Sequence, residues 1–268
     1  GPAISELIAK VEPMSLTQQR AAFFDVDNTL VRGSTIYFLG RGMYQRGFFT
    51  KADISRFVLA NLRFRLTGTE KQDEINRFQK SAQDFIGGHN VTEINAVAQE
   101  IYDEYVSPAL WEGTIEIAQR HLNDGVEVWL VTAAPEDMAT LIAERLGFTG
   151  ALGSKAAIKD GFYTGEMNGP LLHGREKATA IKELARERGF NLETCFGYSD
   201  SHNDLPLLLT VGNPSAINPD AILRIRALKE KWPINDFRRM RFLNRLLGPM
   251  VSRAAWLGTR LTPRRKSN

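Results

Sequence analysis

The sequence contains a single cysteine, Cys195, among 268 residues. An intramolecular disulfide is therefore excluded, and so is a zinc site built from several thiolates of this chain. We expect Cys195 to be a small residue of the hydrophobic core. Such sparing use of cysteine is typical of proteins in a reducing compartment.

Long hydrophobic runs are also missing. No stretch of uncharged apolar residues approaches the roughly 20 that a membrane-spanning helix needs. The first ten residues lack the basic-then-apolar order of a signal peptide, and the sequence therefore predicts a cytoplasmic protein. It shows no nucleic-acid recognition motif, so we expect no nucleic-acid partner. With 43% hydrophobic and 24% charged residues, the composition is that of a globular protein.

Acidic residues are nearly absent from the C-terminal part. Residues 224–268 hold 13 lysines and arginines against two acids, a net charge of +11, whereas the remainder has a net charge of −8. Apolar residues recur at helical spacing from Phe237 onward, with arginines between them. The pattern predicts a basic amphipathic tail with two open interpretations: packing on the body or on a second copy in a homodimer, or peripheral contact with the anionic inner membrane surface.

Short apolar runs predict strands that alternate with helices. The predicted strands are 21–24, 126–131, 151–154 and 195–199, and the predicted helices are 135–146 and 176–188. A hairpin is predicted at 156–166, with Asp160-Gly161 as its turn. This order indicates an α/β fold, a Rossmann-like parallel sheet flanked by helices.

One long segment departs from this alternation. Residues 34–112 show helical periodicity and no convincing strand, which predicts an all-helical cap domain inserted after the first strand. We therefore expect a catalytic core made of residues 18–33 and 113–223, a helical cap of residues 34–112, and the tail of residues 224–268.

Polar side chains follow three of the predicted strands. Asp25 and Asp27 come after the first, Thr132 after the second, and Asp200 after the fourth, while Lys177 lies near the start of a helix. The carboxyl ends of parallel strands meet at one edge of a sheet, and ligands bind there. We expect these side chains to lie close together.

Such a set suits phosphate chemistry. A phosphate monoester is dianionic and repels a carboxylate nucleophile unless cations neutralise the site. Mg²⁺ prefers carboxylates and water as ligands, and a lysine adds a compact positive charge. One carboxylate then attacks phosphorus while a second transfers protons.

These residues resemble the motifs of the haloacid dehalogenase superfamily, in particular its phosphoserine-phosphatase-like branch. DVDNTL at 25–30 is similar to the first motif, Thr132 to the second, Lys177 to the third and SDSHND at 199–204 to the fourth. The order is that of the family, and the resemblance covers residues 21–218. It implies a Mg²⁺-dependent phosphatase that acts on a small phosphorylated substrate, with a helical cap after the first motif.

The resemblance also implies a role for each residue. Asp25 is the expected nucleophile and a metal ligand, and Asp27 the acid and base, with its backbone carbonyl on the metal. Thr132, Lys177 and Asn203 are expected to bind phosphate. Asp200 is the expected third metal ligand, and Asp204 is expected to steady the metal or Lys177.

The substrate is left open by one departure from the branch. Members that act on phosphoserine carry a glutamate nine residues after the nucleophile, where this chain has Ser34. Arg56, Arg63 and Arg65 in the predicted cap are candidates for binding a substrate carboxylate. A second interpretation is a lysophospholipid phosphate phosphatase at the membrane surface.

Simpler roles compete for several of these residues. Asp25 and Asp27 would also suit a turn, Thr132 a helix cap, and Lys177 a solvated surface on which Arg175 is its rival. His202 lies among serines and Asp204, but residues of one loop rarely form a catalytic triad. A non-enzymatic phospho-acceptor domain would leave the cap, Asp200 and Asp204 without a use. In a membrane-surface binding module, the tail would matter more than the site, and this interpretation is compatible with a phosphatase.

Overall fold

The computed structural model describes residues 19–48, 50, 55 and 86–238. The strands are β1 (Ala21–Phe24), β2 (Glu127–Pro135), β3 (Gly150–Ser154), β4 (Ala156–Lys159), β5 (Phe162–Met167), β6 (Phe196–Ser199), β7 (Asn213–Ile217) and β8 (Ile234–Asn235). The α-helices are α1 (Thr35–Gln45), α2 (Val91–Ile101), α3 (Glu112–Asn123), α4 (Glu136–Leu146), α5 (Arg175–Arg188), α6 (Leu205–Leu208) and α7 (Ala221–Glu230).

Six strands form one sheet in the order β3-β2-β1-β6-β7-β8, and all neighbouring pairs in it are parallel. The chain builds outward from β1 on one side and then returns to the other side through β6. This places the carboxyl end of β1 between those of β2 and β6, at the crevice where parallel sheets bind ligands. The predicted fold class is confirmed.

The core lies on both faces of the sheet because the strand side chains alternate. Ala22 and Phe24 of β1 face one hydrophobic cluster, and Ala21 and Phe23 face the other; all four are fully buried. The Phe24 ring stacks on Tyr198 of β6 with 4.3 Å between centroids. Burying each phenylalanine contributes roughly 1.5–3 kcal/mol, so packing on both faces holds β1 and its end in place.

The boundaries differ from the predictions at β2. We predicted a strand at 126–131 with Pro135 as the first residue of the next helix. The strand instead runs to Pro135, which is the residue before α4, so that Thr132 lies within the strand. The predicted hairpin is formed by β4 and β5, with positive φ at both Asp160 and Gly161.

The strands β7 and β8 and the helix α7, at the β8 side of the sheet, were not predicted. β7 has the sequence NPSAI and β8 has only two residues. The proline and the polar residues of β7 interrupt the apolar pattern that predicts a strand, and a two-residue strand such as β8 is too short to show a pattern. Their pairing with β6 depends on the rest of the sheet.

The described part of the segment 34–112 is helical. It holds α1 and α2, and α2 continues through a π-helical turn (Tyr102–Val106) and a 3₁₀ turn (Ser107–Ala109). Residues 49, 51–54 and 56–85, which include the candidate arginines of the cap, lie outside the described residues, as does the apolar stripe of the tail beyond residue 238.

The domain boundaries stay a prediction. Beyond residue 223 the described chain continues through α7 and adds β8 to the edge of the sheet. No helix within the described ranges has the length and apolar character needed to cross a membrane.

Candidate active site

Asp25 follows the last residue of β1 and is held from several sides. Its backbone N–H donates to the carbonyl of Tyr198 in β6 at 2.9 Å. The Thr29 hydroxyl donates to Asp25 Oδ2 at 2.9 Å. Asp25 is only 5% exposed. Because both its backbone and its carboxylate are bound, the side chain is presented in one orientation.

Lys177 joins the first and fourth motifs. Its Nζ donates to Asp25 Oδ1 at 2.6 Å and to Asp204 Oδ2 at 2.8 Å, and its side chain is 4% exposed. Ser199 Oγ donates to the same oxygen of Asp204 at 2.8 Å. Lys177 lies in the first turn of α5, where side chains lean toward the helix N-terminus, so it reaches the sheet edge.

The surface interpretation of Lys177 is thereby excluded, since its rival Arg175 is the exposed residue. Burial opposes the charge of Lys177, but the carboxylates of Asp204 and Asp25 outweigh it and raise the pKa of Lys177. The ammonium is therefore charged at neutral pH.

Asp200 completes an acidic cluster. Burial raises the pKa of Asp200 to about 8, and the charges of Asp25 and Asp204 add to the shift. Burial likewise raises the pKa of Asp25 to about 7, against the opposing charge of Lys177. When all three carboxylates are ionised, the ammonium leaves two negative charges uncompensated, which is the charge that one divalent cation would neutralise.

The donor set also suits Mg²⁺. Within residues 19–48 and 86–238, no three carboxylate, imidazole or thiolate side chains converge as a metal-binding group. Asp25 and Asp200 would supply two carboxylates, and further ligands would be backbone carbonyl and water oxygens. Mg²⁺ is commonly held in this way, by one or two carboxylates with several waters.

The Asp27 carboxylate points to the start of the cap segment. Its Oδ1 accepts a hydrogen bond from the Thr35 hydroxyl at 2.7 Å and another from the Thr35 backbone N–H at 2.9 Å. Thr35 is the first residue of α1 and is 1% exposed. The position of this carboxylate is therefore linked to the first helix after β1.

Thr132 and Asn203 lie at the same edge of the sheet. Leu130 of β2 pairs with Phe24 of β1, the residue before Asp25. Thr132 lies two residues after Leu130. Thr132 is 2% exposed, and its hydroxyl accepts from the N–H of Ala134 at 3.1 Å. Asn203 is half-buried in the loop after β6.

His202 takes no part in a serine triad. Its Nδ1 lies 2.9 Å from Asp220 Oδ2, whereas Ser199 bonds Asp204. The sequence interpretation missed Asp220, together with Thr35 and Ser199. Ser199 is the first residue of the fourth motif but was given no role, and Thr35 gave no signal beyond its closeness to the first motif. Asp220 is recognisable only as a helix-capping residue before α7.

Comparisons with known proteins identify the family. The chain matches the haloacid dehalogenase-like hydrolases over residues 22–209. It is 48% identical over 226 residues to the phosphoserine phosphatase SerB1 of Mycobacterium tuberculosis, a match that covers 84% of this chain and 73% of that protein.

Two solved structures have the same fold. One is a protein of unknown function from Bordetella pertussis, with a TM-score of 0.72, 26% identity, and coverage of 82% of this chain and 99% of the other. The second is a phosphoserine phosphatase in its apo form, with a TM-score of 0.56, 21% identity, and coverage of 83% and 97%. The chain therefore belongs to the haloacid dehalogenase-like hydrolases, as a phosphatase of the phosphoserine-phosphatase-like kind.

Proposed function

We propose that the protein is a Mg²⁺-dependent phosphomonoester phosphatase that forms an aspartyl-phosphate on Asp25. The observation that carries the proposal is the buried Lys177 ammonium, which bridges Asp25 and Asp204 beside Asp200. A cation is thus present where phosphoryl oxygens would accumulate negative charge, next to a carboxylate in a fixed orientation.

Asp25 is the nucleophile in this proposal. One carboxylate oxygen bonds to phosphorus, and the bond from phosphorus to the ester oxygen breaks. Asp27 gives a proton to the departing alkoxide and later removes one from the water that hydrolyses the aspartyl-phosphate, which releases inorganic phosphate and restores both carboxyl groups. Thr132, Lys177 and Asn203 bind the phosphoryl oxygens.

Asp25 and Asp200 would hold the Mg²⁺ through their carboxylates, and Asp27 through its backbone carbonyl. The bound ion supplies charge neutralisation that lets a dianionic ester approach a carboxylate. Asp204 acts on Lys177, which it contacts directly, and so keeps the ammonium at the phosphate site.

The substrate we propose is a small phosphate monoester of the phosphoserine kind. Support comes from the 48% identity to SerB1. Ser34, the residue before α1, would place a neutral hydroxyl near the cap entrance where the branch has a carboxylate. An ammonium-bearing substrate would then gain less from that position.

The mechanism is tested with Asp25→Asn. An amide neither attacks phosphorus nor binds Mg²⁺ well, so p-nitrophenyl phosphate turnover should fall by more than about 10⁴-fold, as it does when other enzymes lose a nucleophile. Asp103→Asn, which changes an exposed carboxylate, is the matched control. Beryllium fluoride should inhibit the wild-type protein and leave Asp25→Asn without a bound analogue.

Mg²⁺-dependent turnover by Asp25→Asn near the wild-type rate would refute the mechanism. The substrate is identified by phosphate release from L-phosphoserine, phosphoethanolamine, lysophosphatidate and a sugar phosphate under Mg²⁺. Phosphoserine and phosphoethanolamine differ by a carboxylate, so their ratio measures recognition of that group.

A second candidate function is action on a lysophospholipid phosphate at an anionic membrane. The observation that favours it is an apolar stripe on α7, where Ile222, Ile225 and Leu228 are 56–69% exposed at helical spacing. Exposed Lys229 and Lys231 adjoin the stripe, and the basic residues of the tail follow. Exposed apolar residues flanked by cations suit an anionic lipid surface.

Vesicle sedimentation tests this candidate. The full chain should sediment with phosphatidylserine-containing vesicles and not with pure phosphatidylcholine, and Ile225→Glu with Leu228→Glu should abolish sedimentation. The control is Ile158→Glu, which changes an apolar residue of the hairpin that is 52% exposed. If the α7 substitutions instead abolish a dimer in the absence of vesicles, the surface is a homodimer contact and the membrane role is refuted.

A further inference from the structure

The segment that follows β7, Asn218-Pro219-Asp220, contacts both acidic loops of the active site through Asn218 and Asp220. They belong to none of the four motifs, and β7 is separated from β1 by β6. Asn218 is 1% exposed and has a left-handed backbone with φ of 47°. Such a conformation in a buried non-glycine residue must be maintained by its surroundings.

Asn218 holds the loop that carries Asp25 and Asp27. Its Nδ2 donates to the backbone carbonyl of Asn28 at 3.2 Å, 190 residues away in the sequence. Its Oδ1 accepts from the backbone N–H of Phe237 at 2.8 Å. The side-chain amide thus links the first motif to Phe237, two residues after β8.

Asp220 holds the loop that carries Asp200. Its backbone N–H donates to the Asp200 carbonyl at 2.8 Å. Its Oδ2 accepts from the backbone N–H of His202 at 2.8 Å and contacts His202 Nδ1 at 2.9 Å. Its Oδ1 accepts from the N–H of Leu223 at 2.7 Å and caps α7.

We propose that Asn218 and Asp220 are positioning residues that set the separation between the Asp25–Thr29 loop and the Asp200–Asp204 loop, and with it the affinity for the divalent ion. The carboxylates of Asp25 and Asp200 repel each other, so without a cation they favour moving apart. The turn after β7 opposes that movement, because it is bonded to both loops and is itself fixed by the sheet.

An ordinary helix cap would explain the Leu223 bond but not the remaining contacts. Asp220→Asn separates the two roles, because asparagine caps helices as well as aspartate does. One amide oxygen can serve Leu223, and the amide nitrogen cannot accept the two hydrogen bonds from His202. Asn218→Gly removes the Asn28 contact and keeps a residue that tolerates positive φ.

The matched control is Asn213→Gly at the opposite end of β7. Its Nδ2 donates to the carbonyl of Cys195, the residue before β6, at 3.2 Å, the same kind of bond and the same length as that of Asn218. Each substitution removes one amide-to-carbonyl bond at one end of β7, and Asn218→Gly also removes the bond from Phe237. Of the two residues, only Asn218 contacts an acidic loop.

The experiment titrates Mg²⁺ against each full-length variant and measures both thermal unfolding and phosphatase activity. Asp220→Asn and Asn218→Gly should raise the Mg²⁺ concentration for half-maximal stabilisation and for half-maximal activity by about tenfold, the lower end of the effect of removing groups that orient metal ligands. Most of kcat should return at saturating Mg²⁺. Asn213→Gly should lower the melting temperature without changing either Mg²⁺ midpoint.

Because this role presupposes the metal site proposed above, the wild-type titration separates the two proposals. A wild-type melting temperature that does not respond to Mg²⁺ would refute the metal site and the positioning role together. A wild-type response with unchanged midpoints in Asp220→Asn and Asn218→Gly would refute the positioning role alone. If Asn213→Gly raised the Mg²⁺ midpoints equally, the effect would be explained by a general loss of stability, and the positioning role would again be refuted.

Discussion

Replacing Lys177 by methionine tests the electrostatics of the active site. Methionine has a similar length, so the substitution removes the ammonium and its two hydrogen bonds while largely filling the space. Asp25 and Asp204, each no more than 7% exposed at the side chain, then face each other without a cation. Breaking a buried ion pair by removing one partner is strongly destabilising, because the other partner stays buried and charged.

The expected loss of unfolding free energy is about 3–5 kcal/mol, the usual range for such a change. For a protein of this size it corresponds to a melting temperature lower by roughly 6–20 °C. Loss of one donor to the phosphoryl oxygens should also lower kcat by about 10²–10³-fold. Both effects come from the same ammonium.

Urea unfolding is measured in EDTA, so that no metal ion contributes to stability. Lys182→Met is the control, since it changes an exposed lysine on the same helix. In the double variant with Asp204→Asn, the combined loss should be smaller than the sum of the single losses by about 0.5–3 kcal/mol, because one of the unpaired carboxylates is then neutral.

A Lys177→Met protein within about 0.5 kcal/mol of Lys182→Met, the usual scale of surface substitutions, would refute the assignment of a buried ionic bridge. Additivity in the double variant would do the same, because it would show that Lys177 and Asp204 do not interact.

Two further results are expected. Thr35→Val removes one of two hydrogen bonds to Asp27 Oδ1, so kcat should fall about tenfold, the equivalent of one hydrogen bond. Inhibition by beryllium fluoride should be unchanged. Thr35→Ser should restore the rate, and an inactive serine variant would contradict the orienting role. Burial lowers the pKa of His121, whose Nε2 lies 2.7 Å from the Tyr198 hydroxyl. The imidazole therefore binds a proton more readily in the unfolded chain than in the folded protein, and stability is lost as pH falls through the pKa of about 6.5 in the unfolded chain. His121→Gln should lose less stability between pH 7.5 and 5.5 than the wild type, and equal losses would contradict the expectation.

Much of the fold was predictable because it depends on local pattern. The run Ala21–Phe24 was assigned with its observed bounds, since four apolar residues before an acidic loop have few other interpretations. Asp160-Gly161 similarly marked the turn of the hairpin. β7 and β8 escaped prediction because their strand conformation comes from pairing with neighbours already in the sheet.

The acidic and basic residues of the site were identified from their order along the chain and from the strand ends that carry them. Their order, however, could not show that Lys177 touches Asp25 and Asp204, that Thr35 binds Asp27, or that Asp220 bonds the Asp200 loop.

The sequence by itself determined the alternation of strands and helices, the chemical types at the strand ends and the family, because hydrophobic period and residue chemistry are local properties. Only the tertiary structure decided which carboxylates share the Lys177 ammonium and which side chains bond the two acidic loops. Those relations join residues up to 190 positions apart, and they exist only once the sheet has brought β1, β6 and β7 side by side.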